Sequence, residues 1–204
     1  MDKKIDKDVN YVVTGWLRCG TSMMMQALIE GGMPAEFDPK RSRMNNYYGD
    51  IHYKPNEGGF FELNRRDYRK INFPSPYRGK LIKCLWGGLH RMCVNPNGYR
   101  YIFMLRNREE CRQSYEAFFD QPAPDIAQND QTYYPQRNKY LDLLENRKDT
   151  LSVHQIKYRD MIEDPLKYFQ QLSEEDWPID PEKAAEVVKP ELCRFRLEKL
   201  EIGI

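Results

Sequence analysis

The sequence predicts an α/β fold: a three-layer, P-loop-type sandwich in which a central, mostly parallel sheet is flanked by helices. Three observations carry this. The stretch Tyr11-Val-Val-Thr-Gly15-Trp-Leu-Arg18-Cys-Gly20-Thr21-Ser22 leads from a short apolar, β-branched segment through a glycine turn into the helical run Met23-Met-Met-Gln-Ala-Leu-Ile29. That is the strand-loop-helix order a phosphate-binding loop needs. Strand and helix candidates then alternate along the chain, which implies parallel strands joined by crossovers. Arg18, Lys83, Arg106 and Tyr158 all fall at or near predicted C-terminal strand ends, where open α/β sheets bind their ligands.

Within the first stretch the spacing is Gly-x4-Gly-Thr-Ser, the nucleoside-triphosphate loop with Thr21 in place of its lysine and a cation moved forward to Arg18. The usual lysine neutralises β- and γ-phosphates together with Mg²⁺, so this displacement points to a different phosphate ester. A tight turn that merely contains Gly, Ser and Thr is the plainer reading of the loop alone. The flanking strand and helix favour phosphate binding, through backbone N–H groups and the positive helix end.

The chain of 204 residues, 40% hydrophobic, fits one domain spanning 1–204. Charged residues make up 31% but the net charge is only +1, so no global field draws nucleic acid or an acidic membrane, and neither is expected as a partner. No apolar run approaches a membrane span, and Met1 to Asn10 is charged rather than a secretory leader; a cytoplasmic location is the expectation. Cys19, Cys84, Cys93, Cys111 and Cys193 are odd in number and never form Cys-x-x-Cys, and His52, His90 and His154 are scattered. Neither a metal site nor a disulfide framework is indicated. Cys19 is set apart: a thiol beside Arg18 at a helix N-terminus ionises more readily, and it is read as a loop residue open to oxidation rather than a nucleophile.

In chain order, a helix is predicted from Ser22 to about Glu30, stopped by Gly31-Gly32 and Pro34, its methionines buried against the sheet. Residues 35–59 mix charge with aromatics and, with 120–136, are predicted to line the substrate side. A short helix is expected from Phe60 to about Lys70, strands over 80–85, 99–105 and 151–157, and a helix from about Glu109 to Phe119. Residues 125–136 read as a mobile loop, 135–147 as an amphipathic helix, and Tyr158 to Pro165 as a turn into a helix over 166–172. Asp180-Pro181 caps a last helix running to Val188, before a basic tail.

Gly15-Trp-Leu-Arg18-Cys-Gly20-Thr21-Ser22 is similar to the Pro-Arg/Lys-Ser-Gly-Thr-Thr/Ser loop of sulfotransferases, with Leu17 for Pro and Cys19 for Ser. Arg106 at a strand end with Ser114 eight residues later resembles the pair that grips the 3′-phosphate of the cofactor in that family. Leu81-Ile-Lys83 resembles the strand whose Lys approaches the transferring group, and Tyr158-Arg-Asp160-Met the turn near the nucleotide. A solvated strand-end lysine and a packed aromatic are the plainer readings of Lys83 and Tyr158 alone. Asn56 to Glu62 and the tail from Ile179 to Arg196 look like bacterial sulfotransferase-like proteins, so the resemblance spans nearly the whole chain.

The resemblance implies 3′-phosphoadenosine-5′-phosphosulfate as cofactor, 3′-phosphoadenosine-5′-phosphate as product, no metal, and a small-molecule, sugar or peptide acceptor. It places Arg18, Cys19, Gly20, Thr21, Ser22, Arg106, Ser114 and Tyr158 against the cofactor and Arg18 and Lys83 at the reacting group. One departure matters. Many cytosolic members follow the strand Lys with Thr-His, the His acting as base, whereas Lys83 is followed by Cys84-Leu85-Trp86. Other members use a Glu after the loop helix, which makes Glu62 the first candidate base, Asp38 the second and Glu57 the third. An exposed carboxylate is the plainer reading of any single one. The rivals are a non-catalytic binder of phosphorylated nucleotides and a nucleotide kinase or hydrolase.

Overall fold

The computed structural model describes residues 4–42, 58–193 and 195. Four strands, β1 (Asn10–Gly15), β2 (Leu81–Lys83), β3 (Tyr99–Leu105) and β4 (Thr150–Lys157), form one sheet in the order β2-β1-β3-β4, every neighbouring pair parallel. All six residues of β1 are buried, as a parallel strand covered on both faces demands. The helices are α1 (Thr21–Glu30), α2 (Pro39–Ser42), α3 (Trp86–Leu89), α4 (Arg108–Phe119), α5 (Asp130–Glu145), α6 (Tyr158–Glu163), α7 (Pro165–Glu174) and α8 (Pro181–Glu186).

The register shows how the layers form. Tyr11 pairs with Arg100 and Val12 with Tyr101, so β1 and β3 share their faces. On one face Tyr11 meets Trp177, between α7 and α8, at 5.5 Å between ring centroids, and the Asp180 N–H donates to Gly31 O at the end of α1. On the other, Phe103 stacks on Trp86 of α3, which touches Tyr133 and Tyr140 of α5. An α/β fold with a parallel sheet and helices on both faces is therefore what the chain adopts.

Several elements differ from expectation. Residues 60–70 hold only a 3-10 turn, Asp67–Arg69, because Phe60 and Phe61 are buried in non-helical backbone, Phe61 at φ 53°, and Asp38 N–H bonds Glu62 O. α5 begins at Asp130 and runs through Pro135, so 130–136 is helix rather than loop. The Asn129 side chain caps it by accepting from Thr132 N, and the burial of Tyr133 outweighs the N–H that proline lacks. Tyr158 opens α6 instead of a turn, β2 is three residues long, and α8 ends at Glu186, short of Val188. Residues 43–57, the centre of the predicted substrate-side segment, lie outside the described residues, as do Glu57 and most of the basic tail.

The strand order creates a switch point: the chain leaves β1 toward β2 on one side and passes from β3 to β4 on the other. The crevice beyond the C-terminal ends of β1 and β3 is where such a sheet binds ligands. α4 starts on its far wall, fixed by Asn107, whose side chain accepts from Glu109 N at 2.8 Å and Glu110 N at 3.4 Å. Asn107→Ala is expected to lower stability by about 1 kcal/mol, read as a shift of the urea midpoint without a change in slope.

Candidate functional site

The loop after β1 turns on two left-handed residues, Arg18 (φ 68°) and Gly20 (φ 91°). Gly20 is the N-cap of α1 and supplies no side-chain cap, so the first N–H groups of that helix point outward with the positive end of its dipole. Tyr158 seals the loop's other flank: a Cβ at Gly20 would lie 2.3 Å from the tyrosine ring.

Arg106, immediately after β3, binds this loop to α4. Its Nη1 donates to Arg18 O at 2.9 Å, its Nη2 to Phe195 O at 3.1 Å and its Nε to the Glu110 carboxylate at 3.1 Å, while its guanidinium lies 4.4 Å from the Tyr158 ring centroid. Glu110, buried, also accepts from Arg159 Nη2 at 2.9 Å. Ser114, eight residues after Arg106, joins the same group from α4. Its hydroxyl accepts from Arg18 Nε at 3.2 Å, and the Arg18 guanidinium sits 4.8 Å over Phe118. The two predicted anchors, loop and strand-end pair, thus form one connected group.

Lys83, the last residue of β2, is only 3% exposed. Its ammonium donates to Ser22 Oγ at 3.0 Å, Phe60 O at 2.8 Å and Glu62 Oε1 at 2.7 Å. Burial pulls its pKa below the ordinary lysine value, Glu62 opposes that, and the positive charges of Arg18 and Arg41 reinforce it. Glu62 therefore stands beside the strand-end lysine. Asp38 does not: its two carboxylate oxygens accept from Lys40 N and Asn64 Nδ2, holding the turn into α2.

Thr21 is buried at the start of α1. Cys19 is not a surface loop thiol. It is fully buried, its Sγ 3.4 Å from Cys111 Sγ and 3.5 Å from Tyr133 Oη. Sequence reasoning also passed over Glu110, Arg159 and Arg41, which shape the electrostatics. Only Glu110 carried a usable signal, its i, i+4 spacing from Arg106. Arg41, which donates to Leu63 O, had none. Among the described residues no group of three or more His, Cys, Asp or Glu could hold a metal ion, and no helix is long and apolar enough to cross a membrane.

Gly20→Ala forces a side chain onto Tyr158 at a left-handed φ and is expected to cost about 1–3 kcal/mol or more, measured by thermal denaturation. Glu62→Gln removes the charge that opposes desolvation, so the Lys83 ammonium is expected to titrate at still lower pH; an NMR titration of the lysine side chain in parent and variant reads the direction.

No protein-family model matches the chain, and no curated protein matches it in sequence. Among solved structures it is similar to a sugar kinase from Janibacter sp. HTCC2649, determined without ligand, at 10% identity over 90% of this chain and 96% of that one, with a TM-score of 0.35. A likeness at that level carries no argument about activity.

Proposed function

We propose that the crevice binds 3′-phosphoadenosine-5′-phosphosulfate across β1 and β3 and that the chain transfers its sulfuryl group to a hydroxyl or amine of a small-molecule, sugar or peptide acceptor. The observation that carries the reading is the group built on Lys83: one buried ammonium bonded at once to the loop hydroxyl of Ser22 and to the Glu62 carboxylate. A cation, an anion-binding loop and a proton acceptor share one place. Three cations, Arg18, Arg41 and Lys83, crowd it closely enough to disfavour the lysine's charge, a cost that a bound anion offsets.

The cofactor fits this donor set as an anion with two phosphate ends, and supplies an activated sulfuryl group on a leaving phosphate. Arg18 and the first N–H groups of α1 would hold the 5′-phosphate, with Thr21 and Ser22 supplying hydroxyls. Arg106, Ser114 and Tyr158 would serve the 3′-phosphate side, Arg106 also fixing the loop through Arg18 O. Lys83 would exchange its bond to Ser22 for a ligand oxygen and stabilise charge developing there. Glu62 would take the acceptor proton as the acceptor oxygen or nitrogen bonds sulfur and the sulfur–phosphate oxygen bond breaks. Positioning and charge stabilisation supply most of the rate.

A second reading, nucleotide binding without transfer, is favoured by one fact: all three Lys83 N–H groups already have protein partners. Thermal-shift titration separates both readings from a kinase. Stabilisation by 3′-phosphoadenosine-5′-phosphate and not by Mg-ATP supports the cofactor; the reverse pattern overturns it in favour of phosphoryl transfer. Sulfuryl transfer to an acceptor panel then distinguishes enzyme from binder. Arg18→Ala is expected to lose ~3 kcal/mol of transition-state stabilisation, about two orders of magnitude in rate, and an unchanged kcat would remove Arg18 from the mechanism.

A further inference from the structure

We propose that Cys19 and Cys111 are a modification site: peroxide-class oxidants join them in a disulfide that re-aims the anion-binding loop. The formation of the bond is independent of the function proposed above; its effect on ligand binding rests on that function. The two sulfur atoms, from residues 92 positions apart, are 3.4 Å from each other, inside ordinary contact distance. A disulfide needs about 2.05 Å, so the bond closes by a shift of little more than ~1 Å. Both thiols are fully buried, and both touch the Tyr133 hydroxyl, at 3.5 and 3.7 Å.

The pair is chemically unequal. Burial disfavours a Cys19 thiolate, but hydrogen bonds from Cys111 and Tyr133 and the charge of Arg106 outweigh it and bring that thiol down; burial and the Cys19 neighbour push Cys111 up. Cys19 is the attacking sulfur and Cys111 the resolving one. The Cys19 sulfur takes the near oxygen of hydrogen peroxide, the O–O bond breaks, and the leaving hydroxide departs as water with the thiol proton. The Cys111 sulfur then attacks the sulfenic sulfur, the S–O bond breaks, and the second water leaves with the Cys111 proton. Two thiols are oxidised and one peroxide is reduced to two waters.

Location gives the bond its consequence. Cys19 lies between the left-handed Arg18 and Gly20, and Gly20 has no room toward Tyr158. Cys111 sits on α4 between Glu110 and Ser114, the residues that pair with Arg106 and Arg18. Pulling Cys19 toward α4 therefore moves the loop N–H groups and the Arg18 side chain together. Among the described residues the Cys19–Cys111 pair is the thiol–thiol contact; Cys93 touches Ser75, and Cys84, beside the Glu62 charge, is pushed up by burial.

The test treats the full chain with hydrogen peroxide, blocks remaining thiols with N-ethylmaleimide in urea, and maps the digest by mass spectrometry. A Cys19–Cys111 linked peptide, lost with dithiothreitol and absent from Cys111→Ala and Cys111→Ser, is the expected result. Recovery of both residues alkylated after the half-exposed Cys93 has been oxidised overturns the proposal. The oxidised chain is expected to bind 3′-phosphoadenosine-5′-phosphate roughly tenfold more weakly than the reduced one, with full affinity restored by dithiothreitol. Equal affinity of both redox forms overturns the coupling. A linked peptide in a chain that binds no bisphosphate in either form keeps the disulfide and refutes the nucleotide reading instead.

Discussion

The guanidinium of Arg106 is the contact on which the crevice depends. It ties the carbonyl of Arg18, the carboxylate of Glu110 and the carbonyl of Phe195 to the end of β3, and its face covers Tyr158 at the end of β4. Three consecutive segments of the sheet's rim are thereby held in one geometry. Arginine suits this task because its planar fork keeps several donors in fixed directions while remaining charged when buried. Glu110 makes the burial tolerable, since an isolated guanidinium at 6% side-chain exposure would carry a large desolvation cost.

Lys83 solves the opposite problem at the end of β2, an edge strand of the sheet. Its compact ammonium can lose its charge when buried, and it sits among cations that encourage that loss. Glu62 restrains it. A rigid, permanently charged arginine on one wall and a titratable lysine on the other divide the labour between organising the loop and answering whatever charge arrives there.

The parallel sheet and its loop were legible because β1, α1 and β3 are marked locally, by buried apolar runs and a glycine turn. Arg18, Lys83, Arg106 and Tyr158 could be placed at strand ends for the same reason. What stayed hidden depended on long-range packing. Residues 60–63 look helical in isolation but are held in irregular backbone by the Asp38 N–H bond to Glu62 O and by burial of two phenylalanines. Pro135 suggested a helix start, yet Asn129 provides the cap. The bond from Arg18 to Ser114 joins residues 96 positions apart and has no local mark. Cys19 and Cys111 carry no mutual signal across 92 residues.

In the proposed function the saturated ammonium of Lys83 would also set what the crevice distinguishes. A ligand oxygen that reached it would have to displace a present partner, for example Ser22, whose hydroxyl also donates to Phe60 O. Binding there is a trade of one acceptor for another. A neutral acceptor would gain almost nothing by the trade, whereas an anionic oxygen would add the attraction of opposite charges to the bond it replaces. In the proposed function the internal hydroxyl would thus be a standing competitor that sets a threshold, favouring charge over uncharged oxygen of the same shape.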